Sequence, residues 1–288
     1  MIHQDVNPQT QLFETSLGRA PGRGRLTGKR ALIVGAGQRP ADDPATTIGN
    51  GRAMSLLFAR EGAAVACVDR DAASAQETAD LVRAEGGTAE AIIADVSEPD
   101  AIGRMFDEAV SALGALDIAV ANIGVSNGHR LHNETPQTWD AVMAVNLRAH
   151  MLIAQRALTE LAEGGTILFV SSAASVSPLG RNPAYESSKA ALSALARATA
   201  VEGQARGIRA NAVAPGLLDT PMGRAASARN PARATRPVPF GRQGTAWEMA
   251  YASLFLVCSE SSYVNAQTLF VDAGANQNVV SVFRRDGA

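Results

Sequence analysis

From residue 31 onward, short apolar runs alternate with longer stretches in which apolar residues recur every three or four positions. The runs at 31–34, 64–68, 89–93, 118–121, 166–170, 208–213 and 268–271 are β-branched or aliphatic and nearly continuous, as expected of strands covered on both faces. Between them the period changes to that of helices, near 50–61, 72–85, 98–112, 136–162, 184–205 and 245–258. Such alternation predicts a single α/β domain, a doubly wound sheet of about seven parallel strands with helices on both faces. Right-handed crossovers would bring every strand's C-terminal end to one edge, where open α/β sheets bind ligands. No repeat or linker interrupts residues 26–274. Residues 1–25, polar and rich in Gly, Pro and Arg, predict a flexible or loosely docked N-terminal arm, and 275–288 form a C-terminal tail.

Composition narrows the function. With 46% hydrophobic and 19% charged residues and a net charge of −2, the chain suits a soluble core and offers no footprint for nucleic acid or an anionic membrane. No apolar run approaches the ~20 residues that span a bilayer. Residues 1–7 lack the basic and apolar regions of a secretory leader, so a cytoplasmic protein is expected. Cys67 and Cys258 sit in apolar surroundings and offer little for a metal site or disulfide framework.

The first predicted strand runs into Gly35-Ala36-Gly37, and Ile48-Gly49-Asn50-Gly51-Arg52-Ala53 opens the following helix. Glycines there let a backbone approach a pyrophosphate, and the helix N-terminus offers free N–H groups to phosphate oxygens. An ordinary Gly-rich turn would look similar. The second strand ends in Asp69, which can accept hydrogen bonds from an adenosine ribose diol and would repel a 2′-phosphate. NAD is therefore the expected cofactor, although Arg70 and Arg39 are placed to offset that repulsion.

Tyr185 and Lys189 lie four apart at the start of a long Ala-rich helix and share one face. Lysine is scarce here: only Lys29 and Lys189 occur, and Arg supplies nearly every other positive charge. A phenol with an ordinary pKa of about 10 is a poor base near neutrality, and a close ammonium lowers it. A compact lysine can also exchange a proton and hydrogen-bond a ribose, which Arg does less readily. Ser172, at a strand end, either holds a substrate oxygen or caps a turn.

Taken in order, the Gly-rich turn, Asp69, Ala94-Asp95-Val96, Ala121-Asn122-Ile123-Gly124, Asn146, Ser172, the Tyr185/Lys189 pair and Asn211-Ala212-Val213-Ala214-Pro215-Gly216 resemble the short-chain dehydrogenase/reductase family over about residues 28–274. The resemblance implies a Rossmann fold and interconversion of a secondary alcohol and a ketone. It implies that Gly35, Gly37, Ile48, Gly49 and Gly51 cradle the cofactor, that Asp69 and Arg70 meet its ribose, and that Asp95 and Val96 meet the adenine. Asn122, Gly124, Pro215 and Gly216 would line the cleft, with Leu218 (through its backbone) and Thr220 on the nicotinamide amide. Asn146 would hold a relay water, Ser172 would orient the carbonyl, and Tyr185 with Lys189 would handle the proton. Tyr185 follows Ser172 by thirteen residues, a spacing common in the family that favours Ser172 over Ser171. The family assembles as dimers or tetramers through its two longest helices. One departure is clear: Gly49 follows Gly35 by fourteen residues instead of the family's four, so about ten residues, 38–47, are inserted. Asp42 and Asp43 within them are expected to turn from the phosphates.

The segment 221–242 is the expected substrate lid. Its Arg224, Arg229, Arg233, Arg236 and Arg242 either grip an anionic substrate group or make a solvated basic loop. His129, Arg130 and His132 could add polar contacts. Val279, Val280, Val282 and Phe283 could dock the tail on a neighbouring subunit, with Arg284 and Arg285 reaching that subunit's pocket. The expected partner is a small polar alcohol such as a sugar, polyol or ring diol. An NADPH-dependent ketone or 3-oxoacyl-thioester reductase is the first alternative, and a non-catalytic nucleotide sensor the second.

Overall fold

The computed structural model describes Thr10 and residues 12–40, 47–178, 180–234 and 238–279. Its main sheet contains β1 (Arg30–Val34), β2 (Ala64–Asp69), β3 (Thr88–Ile93), β4 (Leu116–Ala121), β5 (Leu161–Val170), β6 (Arg209–Pro215) and, after a two-stranded pair, β9 (Thr268–Val271). All neighbours are parallel and the order is β3-β2-β1-β4-β5-β6-β9. The order reverses between β1 and β4, which opens a crevice at their C-terminal ends. Side chains alternate between two apolar layers. Ala31 and Ile33 of β1 pack on one face with α1 (Asn50–Arg60), α2 (Ala72–Ala84) and α9 (Ala246–Val257), while Leu32 and Val34 pack on the other with α3 (Pro99–Leu113), α5 (Ala149–Glu160) and α6 (Pro183–Gly203). Burial on both faces is why these strands read as unbroken apolar runs.

Two expectations about boundaries are corrected. The helix expected over 136–162 is α4 (Pro136–Met143), a π-helical turn (Ala144–Arg148) and then α5, and β5 begins at Leu161, ahead of the expected 166. The expected lid is not simply a loop. It carries α7 (Pro221–Arg229) and the short α8 (Pro231–Ala234), flanked by the paired β7 (Leu218–Asp219) and β8 (Gly244–Thr245). The inserted Asp42 and Asp43, Arg236 of the lid, and the tail beyond Val279 lie outside the described residues.

Residues 12–25, expected as a loose arm, are fastened to α1 and α9. Glu61, fully buried, accepts the backbone N–H groups of Arg23 (2.9 Å) and Arg25 (3.0 Å) and pairs with the Arg25 guanidinium at 2.7 Å. The Ser16 hydroxyl donates to Glu248, and the Arg60 guanidinium donates to the Gly18 carbonyl and lies over the Trp247 ring. Burial alone would raise the Glu61 carboxyl, but the Arg25 side chain and the two amides hold it below its ordinary value. Its contribution is therefore full above the unfolded carboxyl pKa of about 4.3 and is lost as pH falls through the lower folded value. We expect Glu61→Ala to lower stability by about 2–4 kcal/mol in a urea titration, because an Arg and two amides lose their acceptor together.

Candidate active site

The crevice is a cleft of about 1930 Å³, enough for a dinucleotide and a small molecule together, since drug-sized ligands occupy roughly 300–1,000 Å³. Its floor is the Gly-rich turn. Gly35 has φ +83° and its amide donates to the Val68 carbonyl at 2.8 Å, while the Asn122 side chain donates to the Gly35 carbonyl at 2.8 Å. A Cβ on Gly51 would lie 1.9 Å from that same carbonyl, so only glycine lets α1 begin there. Gly49 is the N-cap of α1 and no side chain caps it, which leaves N–H groups facing the cleft. These features fit a pyrophosphate.

The insertion does not open this turn. The Gln38 side chain accepts the Gly49 amide at 2.8 Å, bringing Gly49 beside the first residue of the insert, and the Gln38 backbone is held by Ser74 through both its N–H and its carbonyl. Sequence reading passed over Gln38; an amide side chain at the base of a long loop was the available signal.

Asp69 ends β2 with its carboxylate fixed by two backbone donors, Gly37 N–H at 3.0 Å and Asp71 N–H at 3.1 Å. A Cβ on Gly37 would sit 2.7 Å from the Asp69 carboxylate oxygen, so Gly37 makes room for the acid. Each oxygen keeps lone pairs for a diol. Arg39, Arg70, Asp95 and Val96 line the same end of the cleft. Ser97 donates to Asp95 and holds its carboxyl below the ordinary value. Ile48 does not line the cleft; its partly buried side chain packs against the apolar layer that contains α1 and α9.

At the other end, Ser172, Tyr185 and Lys189 line one wall. Ser171 points away, donating to the Lys189 carbonyl at 2.7 Å, so of the two serines it is Ser172 that stands beside Tyr185. Ser172 also caps a short turn by accepting the Ala174 amide, as expected of a serine at a strand end. The Lys189 ammonium donates to the carbonyls of Ile123 (3.0 Å) and Val170 (2.9 Å), and its nitrogen is 5.9 Å from the centre of the Tyr185 ring. A Cβ on Gly124 would come within 3.2 Å of that nitrogen, so Gly124 leaves Lys189 its space.

Burial pushes the two groups toward neutrality from opposite sides. Lys189 falls to about 7. Tyr185 is raised by burial, opposed by a hydrogen bond with Ser172 and by the positive charge of Arg233. His150, fully buried and next to Lys189, is held well below its ordinary value by burial and by that charge, and so stays neutral.

Asn146 sits in the π-helical turn and does not line the cleft. Its side chain accepts the Val125 amide (2.8 Å) and donates to the Val125 carbonyl (2.9 Å) and to Ser188 (3.1 Å), which donates in turn to the Tyr185 carbonyl. The side chain thus latches the segment after β4 to α6. The Gly216 amide, after Pro215, donates to Val271, and Leu218 precedes Thr220, whose hydroxyl accepts the Gly223 amide and caps α7. All four line the cleft. Of the polar residues after β4, Arg130 lines it too, while His129 and His132 do not. Among the described residues no cluster of three or more His, Cys, Asp or Glu could hold a metal, and no helix is long and apolar enough to cross a membrane.

Residues 45–276 match the family model described as enoyl-(acyl carrier protein) reductase. The chain belongs to the short-chain dehydrogenase/reductase family. Within it, the chain is 34% identical to the 3-oxoacyl-acyl-carrier-protein reductase FabG of Thermotoga maritima, over 87% of this chain and 98% of that one. It is 33% identical to glucose 1-dehydrogenase of Gluconobacter oxydans, over 88% and 94%. A short-chain dehydrogenase of Burkholderia cenocepacia, solved in complex with NADP, superposes with a TM-score of 0.79 at 34% identity over 88% of this chain and 99% of that one. As a short-chain dehydrogenase/reductase, the protein is an oxidoreductase of a family that binds nicotinamide cofactors, and the Gly-rich cradle fits one.

Two outcomes check this geometry. Gly51→Ala should strain the turn by about 1–3 kcal/mol and weaken NADH binding on the order of 10–100-fold in a fluorescence titration. In the nuclear magnetic resonance spectrum, one lysine side chain should titrate near 7 and be missing from Lys189→Met.

Proposed function

We propose that the protein is an NAD-dependent dehydrogenase that interconverts a small polar secondary alcohol and its ketone. One observation carries the cofactor preference: the Asp69 carboxylate is fixed by two amides at the end of β2, where a 2′-phosphate would meet its charge. The nicotinamide ring, when bound, accepts or donates the hydride. Tyr185 gives or takes the hydroxyl proton at its phenol oxygen, and Ser172 beside it orients the reacting oxygen. Lys189, with two N–H groups on backbone carbonyls, keeps its third for the cleft, where its charge draws the phenol toward ionisation. Asn146 positions the wall by tying Val125 to α6. Met151 on α5 and Val201 on α6 are exposed apolar side chains, which supports association of subunits across these helices.

The NADPH-dependent reductase is the second reading, supported by Arg39 and Arg70 at the adenosine end and by NADP in the Burkholderia relative. Titration with both dinucleotides separates the two. We expect NADH to bind at least about tenfold, or 1.4 kcal/mol, more tightly than NADPH, and Asp69→Asn to erase the difference. Tighter NADPH binding by the natural chain would reverse the assignment. With a turned-over alcohol, Tyr185→Phe should lower kcat on the order of a thousandfold while NADH still binds. An unchanged rate would remove Tyr185 from the proton transfer, whereas NADH binding without activity on any alcohol or ketone would leave the non-catalytic sensor standing.

A further inference from the structure

The lid arginines differ in what already occupies them. Arg224 is paired bidentately with Asp219, and Arg242 with Glu248. Arg233 is different. Its Nη1 donates to the Gly223 carbonyl (2.8 Å) and to Ser227 (2.7 Å), both on α7, so α8 holds its guanidinium against the segment that follows Thr220. Among the described residues, Nε and Nη2 have no hydrogen-bond partner and no carboxylate lies within 4.0 Å of the group. The guanidinium is half-buried, lines the cleft, and is close enough to Tyr185 for its charge to act on the phenol. Arg130, Arg181 and Arg229 also line the cleft, as exposed side chains, together with the acidic Glu186 and Asp272.

A half-buried cation with no counter-ion is costly to desolvate, and a ligand that brings the counter-charge recovers that cost. Nε and Nη2 form one edge of the planar guanidinium, two parallel donors that match the two oxygens of a carboxylate. A single cation matches a single negative charge. We infer that Arg233 is the specificity-determining residue of this cleft and that it grips the carboxylate of a hydroxy acid or keto acid whose reacting carbon lies at Tyr185. The inference rests on the dehydrogenase reading for the word substrate, but binding of the carboxylate does not require turnover.

The test uses the full-length protein loaded with NADH and two matched probes, acetoacetate and its methyl ester, together with calorimetric titration of malonate, which cannot be reduced at a ketone. Acetoacetate is expected to have at least about a tenfold lower KM than the ester. Arg233→Gln should raise the KM for acetoacetate by at least that factor, leave the ester within twofold, and weaken malonate to a similar degree. Arg233→Lys should recover part of the loss. Ser227→Ala removes a lid contact of Arg233 without its charge and should leave the anion preference intact. Equal effects of Arg233→Gln on the KM of acid and ester, an equal rise in the KM of acetoacetate from Ser227→Ala, or malonate binding that ignores Arg233 would each overturn the inference. Absence of any turnover, with malonate still bound through Arg233, would count against the dehydrogenase reading and for the carboxylate site.

Discussion

At Gly35 three backbone segments meet more closely than side chains allow: the end of β1, the start of α1 at Gly51, and the end of β4 at Asn122. The approach is possible only because two of the three residues lack a Cβ, and it is secured by the Asn122 amide on the Gly35 carbonyl. Much else follows from this contact. It aims the N-terminus of α1 into the crevice and fixes β4 beside β1 at the switch point. It thereby sets where Ile123 and Gly124 run, and the Ile123 carbonyl is one of the two that hold Lys189. The phosphate end and the proton-transfer end are thus built on the same few atoms.

The second constraint is electrostatic. Burial favours neutral Tyr185 and neutral Lys189, whereas the proposed chemistry needs the ammonium to support a phenolate. Two carbonyls on the ammonium, and Ser172 and the charge of Arg233 acting on the phenol, oppose that burial. The charge of Arg233 near the phenol favours ionisation there and, by the same field, attracts anions. The proposed carboxylate preference and the proposed proton transfer therefore draw on one potential.

The insertion after Gly37 shows how a loop of this length can be tolerated. Among the described residues its base is closed by the Gln38 side chain on the Gly49 amide and by the Ser74 hydroxyl on the Gln38 backbone. The chain departs and returns at nearly the same point, so the cradle keeps its geometry, and the entropy of closing a longer loop grows only slowly with length.

Most of the architecture was legible along the chain, since strands buried on both faces must be apolar at every position and amphipathic helices must repeat at 3.6. Asp69, Ser172, Tyr185 and Lys189 were legible too, because their roles need particular residue types at fixed spacings on one strand end or one helix face. The break of the long helix at Ala144–Arg148 was not, because a π-helical turn leaves the apolar pattern almost unchanged and is held by Asn146 reaching Val125 and Ser188. Nor was the docking of residues 12–25, whose polar composition hides that Glu61, 36 or more positions away, accepts their amides. The sequence could nominate five lid arginines but not rank them. Only the folded chain decides that Asp219 and Glu248 occupy two of them while Arg233 lines the cleft with Tyr185 and pairs with no carboxylate among the described residues, because pairing of charges depends on distances that local pattern does not encode.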